Sequence, residues 1–146
     1  FKNNYNIILN IQMEVNKSVL VKVFSEQCEE LYQDLLKIYP NNYDIKTGLT
    51  MVQTMKRFNP KLMIKTYKIR VNDLYYDKIQ KGDLEYFVQK NYLEDCKIAG
   101  YGSGSEKHSE WIESLKKLYI GQEENNKKKF KKYFQQLSKI CRMYYS

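Results

Sequence analysis

Ser18-Val19-Leu20-Val21-Lys22-Val23-Phe24-Ser25-Glu26-Gln27-Cys28-Glu29-Glu30-Leu31-Tyr32-Gln33-Asp34-Leu35-Leu36-Lys37-Ile38 is the stretch on which the fold turns. Leu20, Phe24, Cys28, Leu31, Leu35 and Ile38 follow one another at intervals of four, four, three, four and three residues. That is the period of one face of an α-helix, since a strand alternates every second residue. Glu26, Glu29, Glu30 and Asp34 fall on the outer face of the same helix and form a candidate acidic surface. Pro40 and the Asn41-Asn42 pair stop it.

Working outward, a second helix begins after Asn42 or Asp44, either of which accepts from free first-turn amides, and buries Ile45, Leu49, Val52 and Met55. It ends near Phe58, where Asn59-Pro60 supplies a cap and a proline at the first helical position. On the third helix Met63, Ile64, Tyr67, Val71 and Leu74 share one arc, with Lys61, Lys65, Lys68 and Asn72 opposite. Asp77 to Lys81 reads as a short helix with Gly82 as its stop, and Asp83 caps a further turn bearing Leu84, Phe87 and Val88. Residues 97–105, Lys-Ile-Ala-Gly-Tyr-Gly-Ser-Gly-Ser, are the Gly/Ser-rich loop. Ser103-Gly104-Ser105-Glu106 matches a capping box for a fifth helix with Trp111, Leu115 and Leu118, ended by Gly121. The last helix runs from about Gln122 to Tyr144 along Phe130, Phe134, Leu137, Cys141 and Tyr144.

Composition agrees. The 146 residues are 42% hydrophobic and 14% aromatic, enough for a core and against wholesale disorder. Two prolines and six glycines are too few to turn an all-β chain every 8–12 residues. The reading is all-α, a single compact domain of about five to seven helices over residues 16–146, preceded by a flexible extension at residues 1–15. Phe1 opens the chain and Met13-Glu14-Val15-Asn16 reads like a natural start. Two readings of the first dozen residues stay open: an upstream extension of the reading frame, or a real amino-terminal strand or arm. No apolar run reaches the roughly 18–20 residues of a membrane span, and no signal-peptide pattern opens the sequence. Cys28, Cys96 and Cys141 are an odd set without metal or disulfide spacing, which fits a reducing, intracellular compartment.

Chemistry is sparsely represented. Gly100-Tyr101-Gly102-Ser103-Gly104 lacks the Lys-Ser/Thr of a P-loop and no strand leads into it, so a connector is the better reading. His108, the sole histidine, sits in a polar first turn. Cys28 and Cys141 lie on apolar stripes as small core residues, and Cys96 stands beside Glu94 and Asp95, which raise a thiol's pKa. The pairs Glu29-Glu30 and Glu94-Asp95 read as solvated charge. No catalytic, cofactor-binding or metal-ligating set emerges, and no small-molecule substrate is evident.

Charge is more informative. The chain carries a net +8, and between Asp44 and Asp73 there is no acidic residue, while Lys46, Lys56, Arg57, Lys61, Lys65, Lys68 and Arg70 all fall there. Lys127, Lys128, Lys129, Lys131 and Lys132 crowd the start of the last helix. The candidate basic surface is Lys56, Arg57, Lys61, Lys65, Lys68, Arg70, Lys127, Lys128, Lys131 and Lys132. Such a surface suits phosphates, and lysine stripes also serve simply as solvated helix faces. The 14 tyrosines supply stacking platforms on one reading and core packing on the other.

Phe58-Asn59-Pro60-Lys61-Leu62, Tyr76-Asp77-Lys78-Ile79, Gly82-Asp83-Leu84-Glu85-Tyr86-Phe87, Asn91-Tyr92 and Lys132-Tyr133-Phe134-Gln135-Gln136-Leu137 occur in an order that resembles a family of short helical proteins from nucleocytoplasmic large DNA viruses, mimivirus-like and phycodnavirus-like. The resemblance covers most of residues 20–144 through short motifs. It implies a small helical protein of an infected cell, in host cytoplasm or virion, and carries no catalytic residue. The expectation is a non-enzymatic protein-interaction or assembly component, whose acidic first helix pairs with the Lys61-Lys65-Lys68 stripe of a neighbour. The alternative is a basic protein contacting nucleic-acid phosphates without sequence specificity.

Overall fold

The computed structural model describes residues 16–83, 85–86 and 116–146. Among them there is no strand. Five α-helices follow in order: α1 (Lys17–Ile38), α2 (Tyr43–Phe58), α3 (Pro60–Tyr67), α4 (Asp73–Gln80) and α5 (Glu124–Tyr144), with a π-helical turn, Lys68–Asn72, between α3 and α4. Residues 116–120 are also helical. The all-α expectation holds for the described residues. The expected extension at 1–15, the loop at 97–105, and Cys96, His108 and Trp111 lie outside them. The described residues form two compact units, 16–68 with 136–146, and 69–83 and 85–86 with 116–135.

In the first unit three asparagines cap the helices, Asn42 and Asn59 as expected and Asn16 in addition. Asn16 Oδ1 accepts from the Ser18 amide at 2.8 Å and starts α1. Asn42 Oδ1 accepts from the Ile45 amide at 3.0 Å and starts α2. Asn59 does both jobs at the next corner: its amide reaches the Met55 carbonyl, and its side chain accepts from Leu62 with Pro60 in the first turn. Each side-chain cap contributes about 1 kcal/mol by satisfying an amide that the helix cannot.

α1 packs against α2 and α3, and α2 against α3. Phe24, Ile45, Ile64, Leu137, Ile140 and Cys141 are fully buried, with Leu20, Val21, Val23, Leu31 and Met63 close behind. The expected Leu20-Phe24-Leu31 stripe is inside, whereas Cys28, Leu35 and Ile38 are only half-buried. Gln27 is buried on the same stripe, and Val21, Val23 and Ser25 are buried as well, because α1 is covered over a wider arc than the stripe. Phe24 meets the Tyr67 ring edge-on, centroids 5.3 Å apart. Each fully buried side chain of this kind contributes roughly 1.5–3 kcal/mol.

The second unit is built on Tyr75 and Ile79, with Val71, Tyr86 and Phe134 packed around them. The arc expected to run through Val71 and Leu74 is corrected here: Leu74 is exposed and Tyr75 is buried. A π turn holds about one residue more than an α turn, so the inward position slips from 74 to 75 and then to 79. Gly82, at φ 76°, ends the α4 region in a left-handed conformation that glycine adopts without penalty. Gln135 donates its side-chain amide to the carbonyls of Ile79 and Gln80, and Gln80 donates its own to the Gln135 carbonyl. Asp83 Oδ1 accepts from the Tyr86 amide, the cap expected of it. α5 begins at Glu124, two residues later than expected.

Candidate functional site

α2 buries one side and shows the other to solvent. Ile45 and Gly48 are inside, and Leu49, Val52 and Met55 are half-buried beside them. At 100° per residue, Tyr43, Thr47, Thr50, Met51, Thr54 and Phe58 fall within about a 100° arc on the opposite side. Tyr43 is 77% exposed, Met51 59% and Phe58 75%. No charged residue interrupts this arc over the roughly 24 Å length of the helix.

The threonines make the face less polar than their names suggest. Thr50 donates its hydroxyl to the Lys46 carbonyl at 3.1 Å and Thr54 donates to the Thr50 carbonyl at 2.8 Å. Turned back on the helix in this way, each hydroxyl is satisfied locally and the methyl group is left outward. The result is a stripe of two rings, a thioether and threonine methyl groups, with the Thr47 hydroxyl among them. Aromatic residues and Met are the types enriched at protein interfaces, and an exposed contiguous apolar patch of this kind marks an interaction site more often than a lone exposed Leu does.

One edge of the stripe is cationic. Lys46 and Arg57 lie next to it on the helix, both exposed, and Lys61 and Lys65 are exposed on α3 together with Leu62. The Arg57 guanidinium stands 5.9 Å from the centroid of the Phe58 ring. Among the described residues no carboxylate forms an ion pair with Lys46, Arg57, Lys61 or Lys65.

The other charged residues singled out in the sequence are distributed differently. Lys56 turns towards α1 and pairs with Glu29 at 3.0 Å, so each charge is met within the chain. Glu26 stands 4.0 Å from Lys22, and Asp34 3.5 Å from Lys37. Glu30 is half-buried. Lys68 lies over the Tyr145 ring, and Arg70 is exposed in the π turn. In the second unit Lys127 pairs with Glu124 at 3.6 Å and sits over the Tyr119 ring. Lys128 and Lys132 are exposed and Lys131 is half-buried against Gly82. Sequence reasoning missed the pairing of Lys56 with Glu29 and passed over Tyr43, Met51 and Phe58. The signal was present, because these three recur at intervals of eight and seven, a second helical stripe set opposite the first.

The interior of the first unit holds a polar group of its own. The Tyr67 hydroxyl and Ser138 Oγ are 2.8 Å apart. Burial holds the Tyr67 phenol well above its ordinary range, partly offset by Ser138, with Cys28 and Cys141 adding to the rise. Burial likewise pushes the Cys28 thiol up to about 12, so it stays protonated and is a poor nucleophile at neutral pH. Cys141 Sγ donates weakly to the Ile64 carbonyl at 3.8 Å. Among the described residues no three His, Cys, Asp or Glu side chains gather as a metal site, and no helix is long and apolar enough to cross a membrane.

No family model, curated protein or solved structure matches the chain.

Proposed function

We propose that this protein is a non-enzymatic interaction component whose α2 outer face docks a partner protein. The observation that supports the reading is the uncharged, outward arc of Tyr43, Met51 and Phe58, with Thr50 and Thr54 presenting methyl groups between them. Large rings and a methionine gain free energy when a partner removes them from water, at roughly 25 cal/mol per Å² of apolar surface. The setting we propose, from the resemblance alone, is an assembly of a large DNA virus. The test is a photo-cross-linking residue at position 51, with one at exposed position 37 on α1 as the control. A discrete protein adduct from position 51, lost in Tyr43→Ser/Phe58→Ser, is the expected result. Equal adducts from both positions would defeat the reading.

The alternative is nucleic-acid binding, favoured by exposed Lys128 and Lys132 in the second unit and by exposed Lys46, Arg57, Lys61 and Lys65 on α2 and α3. The α2 rings argue less for it. Tyr43 and Phe58 are separated by about 22 Å of helix, whereas stacking platforms receive successive bases side by side. Titration with mixed-sequence DNA and RNA from about 50 to 200 mM salt discriminates, since phosphate contacts weaken steeply over that range.

A further inference from the structure

We infer that the occupant of the α2 face is an amphipathic helix of a partner protein whose polar flank is acidic. This rests on the docking role proposed above and identifies the chemistry of its ligand. The face is a straight stripe one helix wide, with anchors at Tyr43, Met51 and Phe58, about two turns apart. Such spacing matches the i, i+3, i+4, i+7 anchors of a second helix laid alongside it. Lys46 and Arg57 border the stripe on the same side, and Lys61 and Lys65 continue the positive charge onto α3. Asp44 is the one acidic residue from the start of α2 to the end of α3.

Charge selects among occupants. A helix with Asp or Glu along one flank places carboxylates against Lys46 and Arg57 while its apolar face covers Met51. A second copy of this chain does worse: paired parallel, it sets one carboxylate, Asp44, against the two cations of each mate. When two α2 helices pair antiparallel about a two-fold axis, each residue edge meets the same edge of its mate, so Lys46 and Arg57 face cations. Like charges juxtaposed across an interface repel and suppress that pairing. A basic or neutral partner helix leaves these cations without compensation.

The experiment selects a display library of 16-residue peptides on the immobilised full chain, counter-selecting on Met51→Ser/Phe58→Ser. Both replaced residues are more than half exposed, so the variant keeps its helix content by circular dichroism. The expected peptides carry an apolar helical period flanked by Asp and Glu, and Lys46→Gln/Arg57→Gln weakens them about tenfold, the size of one or two lost charge pairs. Peptides that need Met51 and Phe58 but show no acidic excess, or ignore Lys46→Gln/Arg57→Gln, overturn the acidic occupant and leave the docking role standing. No peptide dependent on Met51 and Phe58 overturns both. A dimer in sedimentation that Met51→Ser/Phe58→Ser abolishes assigns the face to a second copy and overturns the inference as well.

Discussion

The Tyr67 hydroxyl lies 2.8 Å from Ser138 Oγ, a hydrogen bond that ties α3 to α5 inside the first unit. Ser138 is fully buried and Phe24 packs edge-on to the Tyr67 ring, so neither partner replaces the other with bulk water at no cost. Tyr67→Phe keeps the ring and removes the hydroxyl, and is expected to destabilise the fold by about 1–3 kcal/mol. Ser138→Ala is expected to act similarly. The double variant should cost at least about 0.5 kcal/mol less than the two singles together, because removing both hydroxyls leaves neither in want of the other. Urea unfolding of the four proteins provides the cycle, and strict additivity would contradict a direct bond.

Alkali should unfold the protein through its interior. The Cys28 thiol is pushed from 9.0 up to about 12 by burial, and the Tyr32 phenol from 10.0 up to about 12, by burial first and Cys28 second. Both groups hold protons in the folded state that the unfolded chain releases. Their contribution is therefore intact below about pH 9 and falls as pH rises from 9 towards 12, by at most about 1.4 kcal/mol per pH unit for each group. Urea midpoints measured from pH 7 to 11 should be level at first and then decline. Cys28→Ala should move the onset from about 9 towards 10. A midpoint unchanged up to pH 11 would remove burial of these groups as the cause.

Much of this architecture is legible in the chain. The Leu20-Phe24-Leu31 period shows α1 because apolar side chains spaced by four and seven residues, one and two turns, fall together on one side only in a helix. Asn42, Asn59-Pro60, Gly82 and Asp83 mark their corners because caps and turns act through adjacent backbone groups. What escapes is set at a distance. The π turn at Lys68–Asn72 adds a residue that the apolar period does not announce, so the arc through Leu74 is one residue out of phase. The turn of Lys56 towards α1 depends on Glu29, 27 residues away. The α2 outer face escapes for a different reason: its threonines count as polar in any sequence pattern, and only their hydrogen bonds to the Lys46 and Thr50 carbonyls show that methyl groups face out.

Gly48 faces the Tyr32 ring of α1. A Cβ there would collide with the Tyr32 ring, whose Cζ would be 2.8 Å away. On propensity alone Gly48→Ala would stabilise a helix by up to about 1 kcal/mol. Overpacking against a half-buried ring costs about 1–3 kcal/mol and should outweigh that gain. The expected outcome is a lower thermal midpoint for Gly48→Ala, restored in Gly48→Ala/Tyr32→Leu. A stabilised single variant would mean that the ring moves aside freely.

Gln122, just ahead of α5, offers the opposite sign. It is buried, and among the described residues neither its side-chain oxygen nor its nitrogen has a hydrogen-bond partner. Gln27 is also buried, but its amide donates to Gln136 Oε1 at 2.6 Å, so its removal would take a partner from Gln136. An unsatisfied buried amide carries a desolvation penalty of about 1–3 kcal/mol that an apolar side chain of similar volume does not. Gln122→Met should therefore stabilise the protein by about 1 kcal/mol, the remainder being lost to imperfect repacking. Gln27→Met, which removes a bond as well as a penalty, should be neutral or destabilising. Thermal melts of the two variants under identical conditions decide the matter, and a destabilised Gln122→Met would show that its amide is bonded in solution.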